Sequence, residues 1–215
     1  MCKVDDNVTT QITLFPRPSL WEIVFVMSLR ERLYRFRSFW VFPIVAMGLI
    51  YVAFRDDPGS LRNLFWLFPM GLAAWTLIEY GLHRFVFHIH CRSPRLSEII
   101  NASHIEHHRA PRNPDRLFVH LNYSLVISTL IFGGLYAAFG RMDFSAGMLC
   151  GIWAGFLYYE TVHYRSHLTS AASGLIGRQR RAHFYHHFTN NTRCFGVTSP
   201  LWDFVFRTHL PRAGR

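Results

Sequence analysis

The chain has 215 residues, with 22 arginines, one lysine and a formal net charge of +10 at pH 7, yet half of its residues are hydrophobic. Its mean hydropathy is +0.11, and charge and apolar character coexist at that level only if they are segregated along the chain, which excludes an ordinary water-soluble globule. The arginines flank apolar runs and form no basic stripe, which excludes a nucleic-acid-binding surface as the reason for the charge.

In chain order, residues 1–17 are polar and read as a loosely attached tail; Asp5 and Asp6 stand where a signal peptide would carry a basic region and an apolar core. From Ser19 to Arg37 apolar Leu20, Ile23, Val24, Met27 and Leu33 alternate with Glu22 and a series of arginines. With Ser19 as its cap, this stretch predicts a basic amphipathic helix lying in the membrane surface. Residues 1–38 are thus a tail and an interfacial helix, and 39–215 a membrane domain. A first span is expected over about 39–54, which holds no charge. It is shorter than the roughly 20 residues a bilayer requires, so Arg37 and Arg55 snorkel. After the turn at 55–60, a second span covers about 61–82. The polar segment 83–117 leads to a third span over 118–139, free of Asp, Glu, Lys and Arg, and a fourth over about 144–160. The expected fold class is all-α: an integral membrane protein with four transmembrane helices. The segments 1–38, 83–117 and 161–215 hold six, six and eight basic residues, while the short connecting turns hold three. That asymmetry puts both termini and all three polar segments in the cytoplasm, at a bacterial inner membrane, which the arginine bias favours, or at the endoplasmic reticulum in a eukaryote.

Those same polar segments carry the histidines. His104-Ile105-Glu106-His107-His108 places imidazoles at i, i+3 and i+4, on one face of a helix, and His183-Phe184-Tyr185-His186-His187 repeats the spacing 79 residues later. The pairs His83/His88 and His163/His167 complete a set of ten among the 13 histidines. Neutral imidazole is the commonest protein ligand for zinc and iron. Ten are too many for one ion of four to six ligands, so a cytosolic histidine-rich cap with a dimetal site is the economical reading. His83 and His88, five residues apart, stand about 140° apart on an α-helix; they serve different ions or need a break in the helix. Glu79 and Glu160 precede His83 and His163 by about a turn and either orient an imidazole or bridge the metals directly. His90, His120 and His209 fall outside the spacing. The four cysteines form no C-x-x-C pair, so a disulfide framework is not expected; Cys91 and Cys194 lie near the boxes and are secondary ligand candidates.

An imidazole-rich dimetal site at a membrane surface suits oxygen chemistry. Zinc hydrolases more often mix histidine with carboxylates. The C–H bonds of a lipid acyl chain are unactivated, so acid–base groups alone do not suffice and a redox metal that activates O2 is the fitting tool. Two other readings use the same residues: desaturation of an acyl, sterol or carotenoid substrate, and a non-catalytic membrane metal carrier. The carrier reading is disfavoured because transporters place their ligands near the bilayer midplane.

The order of the boxes, with Glu79 to His88, then His104 to His108 followed by Pro111, Asp115, Arg116 and Leu117, then His163 to His167, His183 to His187 and the tail Phe195-Gly196-Val197-Thr198-Ser199-Pro200-Leu201-Trp202-Asp203, resembles the fatty acid hydroxylase and sterol desaturase superfamily. It is most similar to the fatty acid 2-hydroxylases that act on sphingolipid acyl chains. The resemblance covers about 61–208. It implies four membrane helices under a cytosolic cap, a dimetal centre held by the ten histidines (iron expected, zinc possible in the isolated protein), O2 as cosubstrate and a membrane lipid as substrate. Many members carry a fused haem domain; no His-Pro-Gly-Gly haem motif occurs here, so the expected electron donor is a separate protein.

Overall fold

A computed structural model of the protein describes residues 27–88, 104–169 and 173–211. Its helices are α1 (Leu29–Arg35), α2 (Ser38–Asp56), α3 (Ser60–Gly81), α4 (Leu121–Phe139), α5 (Met142–Leu168), α6 (Gly174–Phe188) and α7 (Leu201–Val205), and no strand occurs among the described residues. A π-helix, Leu82–Phe87, continues α3, and residues 104–109 are helical.

Helix α1 does not run on from Ser19. Ser28 starts it with a capping box: the Glu31 carboxylate accepts from the Ser28 amide at 2.8 Å, and Ser28 Oγ accepts from the Glu31 amide at 3.2 Å. That reciprocal pair sets the helix start at residue 29 and restricts the described amphipathic element to seven residues. The tail and the first part of the expected interfacial helix, residues 1–26, lie outside the described residues.

Among the described residues, three stretches are long and apolar enough to cross a membrane: Ser38–Asp56, Ser60–Phe87 and Pro114–Phe139. Their outward faces are apolar; Phe65 and Leu130 are each 70% exposed, a belt that suits lipid and not water. The run 144–160, expected as a fourth span, lies in α5, which is not apolar enough to stand beside those three. The reason is its position. Helix α5 packs against α2, α3 and α4 and buries residues all round its surface, so it has little need of a lipid-facing stripe. Around it lies the core: Phe42, Trp75, Ile152, Trp153 and Phe156 pack together, and Trp153 Nε1 donates to Ser128 Oγ of α4 at 2.8 Å.

Helices α3 and α5 meet backbone to backbone. A Cβ on Gly151 would lie 2.1 Å from the Phe68 carbonyl oxygen, and one on Gly71 would lie 2.1 Å from that of Met148. Gly147, Gly151 and Gly155 recur every four residues along the α5 face that meets Leu67, Gly71 and Trp75, the small-residue seam by which membrane helices approach closely. At one end of the bundle, Asn63 Nδ2 donates to Asp143 Oδ2 at 2.7 Å and ties the first turns of α3 and α5 together. The opposite end carries the π-helix, the end of α5, residues 104–109 and α6. Replacing Gly151 by Leu forces side-chain atoms into the α3 backbone and is expected to destabilise the protein by about 3 kcal/mol, whereas Gly48→Leu, with nothing within 4 Å of its Cβ, leaves stability nearly unchanged; thermal unfolding in detergent compares the two.

Candidate metal centre

The ten histidines of the four boxes come together in two groups of five. His83, His88, His104, His108 and His186 form one; His107, His163, His167, His183 and His187 form the other. Within each group the offered nitrogens all lie within 4.8 Å of one another. Local structure explains how. The wider turn of the π-helix, with its i→i+5 period, returns His83 and His88 to one side, which an α-helix cannot do. The two rings are 5.3 Å apart between centroids, and the pair serves one group, not two. His163 and His167 are one turn apart near the end of α5, with centroids 5.1 Å apart.

Each H-x-x-H-H box is divided between the groups. His104 and His108, at i and i+4, join the first group, while His107 crosses to the second. In α6 the roles are exchanged: His183 and His187 join the second group and His186 crosses to the first. Each group is therefore one helix-end pair, one i,i+4 pair and one crossing histidine, related by an approximate two-fold exchange. His108 and His187 stack face to face between the groups, with centroids 4.0 Å apart and ring planes at 14°.

The backbone sets the tautomers. His83 Nδ1 lies 2.6 Å from the Phe195 carbonyl oxygen, His163 Nδ1 lies 2.9 Å from that of Leu117, and His186 Nδ1 lies 2.7 Å from that of Arg193. A carbonyl only accepts, so each of these Nδ1 atoms carries the proton and each Nε2 keeps its lone pair. Those lone pairs face other imidazole nitrogens. His104 Nε2 lies 3.2, 3.0 and 3.1 Å from Nε2 of His83, His88 and His108. One ring N–H serves one such contact, so hydrogen bonding leaves the others as facing lone pairs. A cation accepts from all of them. At the usual metal–nitrogen distance of about 2.1 Å, donors around one ion stand about 3 Å or more apart, close to the spacing seen. Burial, with the neighbouring imidazoles, pushes the pKa of His108 down to about 4, and burial takes His186 down to about 3. His104 and His183 are driven well below the ordinary value by the same causes. The rings are neutral donors at pH 7, as metal binding requires. The donor set thus fits a metal ion in each group.

The two buried glutamates act at one remove, and neither touches an imidazole or a candidate metal position. Glu79 Oε1 accepts from the amides of Val197 at 2.5 Å and Thr198 at 2.8 Å, and Oε2 accepts from the Thr198 hydroxyl. Glu160 Oε1 accepts from the Val119 amide at 3.0 Å. In each case the amide belongs to the second residue after the carbonyl that holds a histidine: Val197 after Phe195, and Val119 after Leu117. Glu79 therefore holds the segment that orients His83, and Glu160 the segment that orients His163. Asp203 supports the first by accepting from the amides of Phe195 at 2.9 Å and Gly196 at 2.8 Å. A side chain at Gly196 would put its Cβ 2.0 Å from the Ser199 carbonyl oxygen, so this turn closes only with glycine. The carbonyls of Leu117, Arg193 and Phe195 leave no mark in a sequence, since any residue type supplies one. Asp203 and Gly196 do leave one, in the tail motif.

Cys194, His120 and His209 fall outside both groups. Cys194 is buried, and burial pushes its thiol up to about 12, which disfavours the thiolate a metal needs. His120 occupies the N-cap of α4, and His209 stacks on Phe204 at 4.8 Å. Cys91 and His90 lie outside the described residues.

A cavity of about 200 Å3 opens beside His104, His107 and His163, walled by Phe87, Leu117 and Tyr159. It adjoins a narrow apolar slot of about 60 Å3 that runs between the helices along Phe42, Trp75, Ile131 and Phe156. The two histidine groups thus stand beside an apolar channel.

Comparison with known proteins gives a consistent result. Residues 68–208 match the family described as fatty acid hydroxylase. The chain is 32% identical over 187 residues to the ceramide very long chain fatty acid hydroxylase of Saccharomyces cerevisiae, covering 80% of this chain and 46% of that protein. It is 33% identical to the fatty acid 2-hydroxylase of Homo sapiens over 67% of this chain and 40% of the relative, and 28% identical to a dihydroceramide fatty acyl 2-hydroxylase of Arabidopsis thaliana over 79% of this chain and 72% of the relative. The chain thus spans less than half the length of the yeast and human proteins. The solved structure of full-length Scs7p, of which the hydroxylase domain is visible, superposes with a TM-score of 0.67 and 27% identity, covering 81% of this chain and 67% of that one.

Replacing Glu160 with Leu removes the acceptor for the Val119 amide and frees the Leu117 carbonyl from its position. The expected outcome is a fall of about 10- to 100-fold in metal affinity at the His163 group, with the His83 group little changed; Glu79→Leu shows the reverse. Metal content of the purified protein across a chelator series measures both.

Proposed function

The chain belongs to the fatty acid hydroxylase family, and from that premise we propose that it is a membrane-bound dimetal oxygenase that hydroxylates the acyl chain of a lipid, at C2. The observation that carries this reading is the pair of five-imidazole groups opening on an apolar channel. The relatives named as 2-hydroxylases of fatty acids and dihydroceramide support the position of attack. The net reaction inserts one oxygen atom of O2 into a C–H bond and reduces the other to water, using two electrons and two protons.

The ligands are His83, His88, His104, His108 and His186 for one ion, and His107, His163, His167, His183 and His187 for the other. Iron, when bound, supplies the redox chemistry that activates O2 against an unactivated C–H bond; zinc fills the same donor set without redox activity. The protein's own groups do the rest. The carbonyls of Phe195, Leu117 and Arg193 hold Nδ1 protons and aim Nε2 lone pairs inward. Glu79 and Glu160 keep two of those carbonyl segments in place. Phe87, Leu117 and Tyr159 wall the cavity beside His107 and His163, so a chain lying there displaces water from the reacting carbon. Electrons come from a separate donor protein. In the membrane, α5 is the fourth span, sheltered by the other three, and the end that carries the histidines faces the cytoplasm, in keeping with the distribution of arginine.

Expression in a lipid-producing host is expected to add one oxygen to acyl chains at C2, read by mass spectrometry of the lipids with fragment assignment. His107→Ala is expected to abolish the product. Loss of two hydrogens without oxygen gain indicates a desaturase instead, and unchanged lipids with iron, O2 and reductant present contradict an oxygenase.

A further inference from the structure

The channel has a third compartment, and one residue joins all three. Val119 lines the slot between the helices, the cavity beside the histidines and a polar cleft of about 620 Å3 at the surface. Arg116 and Phe118 line both the cleft and the histidine cavity; Phe87, Ile127 and Tyr159 line both that cavity and the slot. The three spaces therefore adjoin in sequence, from a polar surface cleft, past His104, His107 and His163, into the apolar interior.

The cleft is built where a lipid head group lies. Arg37 is the N-cap of α2 and His120 the N-cap of α4, so two membrane-crossing stretches begin at its wall. Its guanidinium groups belong to Arg35, Arg37 and Arg116, and its carboxylates to Glu31 and Asp115. The carboxylates are committed elsewhere. Glu31 is held in the capping box by Ser28, and Asp115 pairs with Arg35 at 3.0 Å. Arg116 pairs with Glu106 at 2.7 Å through groups that are each about half exposed and weakly bound for that reason. Arg37 stacks over the Tyr34 ring at 4.4 Å, makes no direct ion pair among the described residues, and acts on the buried Glu160 carboxylate only through its field. The cleft thus presents one guanidinium, Arg37, without a direct ion pair and a second, Arg116, at the doorway to the histidines, with the positive ends of two helices behind them.

We propose that this cleft binds a phosphate-bearing head of the lipid whose acyl chain lies in the channel, with Arg37 and Arg116 as the phosphate contacts and Val119 as the point where the chain turns inward. The inference rests on the acyl-hydroxylase reading and adds to it that the preferred substrate is anionic at its head. In this arrangement C2, a few bonds from the head, stands in the histidine cavity and the rest of the chain occupies the slot.

Equilibrium binding of the full chain in nanodiscs tests this with two lipids that differ only in a phosphate: ceramide and ceramide 1-phosphate of identical acyl length. Binding needs neither O2 nor electrons, so the test is independent of turnover. The phosphorylated lipid is expected to bind about tenfold more tightly or better, as a charge-assisted contact warrants. Arg37→Gln and Arg116→Gln should each remove most of that preference while leaving ceramide binding intact, and Arg37→Lys should keep much of it. Val119→Trp should block both lipids without loss of metal. Equal binding of the two lipids, or a preference that survives in both glutamine variants, overturns the proposal. Hydroxylation of ceramide without any head-group preference removes this inference and leaves the oxygenase reading standing; phosphate preference without hydroxylation does the reverse.

Discussion

Everything in this molecule depends on placing ten imidazole rings where their lone pairs point at one another. Such a cluster is unfavourable in itself. A buried ring nitrogen without a partner costs free energy, and each neutral ring has a single N–H to offer. His104, with three imidazole nitrogens within 3.2 Å of its own Nε2, shows the difficulty most clearly. Backbone carbonyls fix His83, His163 and His186 from behind, and on the proposed reading an ion in each group would turn repulsion into ligation. Binding energy of such metals would in this sense be folding energy for the cap.

The cap is held from the membrane side by a device used twice. Near the ends of α3 and α5, a buried glutamate grips a backbone amide, and two residues before that amide a carbonyl grips the Nδ1 of a histidine about one turn further along the same helix. Rigid packing of α3 on α5 through the glycine seam fixes the separation of those two helix ends. The crossing of His107 and His186 then interlocks the two groups, so that each group draws on both H-x-x-H-H boxes. A geometry assembled from rigid helices, with loops pinned by carboxylates, suits a reaction in which a reactive site must stay fixed beside a flexible apolar chain.

Much of this was legible in the sequence because its signals are periodic. The apolar runs at 39–54, 61–82, 118–139 and 144–160 mark four helices, and the H-x-x-H-H spacing marks histidines that the fold brings together. Three features were not legible. The π-helix has no compositional signature, so His83 and His88 looked divergent until the backbone form was known. The division of each box between two groups depends on how the 104–109 segment and α6 face one another, a tertiary fact beyond any local pattern. Glu79 and Glu160 were recognisable as acids one turn before His83 and His163, but their partners are main-chain amides, which sequence does not distinguish. Helix α5 misleads for a related reason: enclosure by three neighbours frees it from the apolar composition that marks a lipid-facing span.

The central claim is that two ions are bound, each by five histidines, with His107 and His186 crossing between the boxes. Anomalous X-ray diffraction from crystals of the metal-loaded protein tests it most directly. The account predicts two anomalous peaks per chain, one surrounded by His83, His88, His104, His108 and His186 and the other by His107, His163, His167, His183 and His187. A single peak, or two peaks with His104, His107 and His108 all on the same ion, contradicts it.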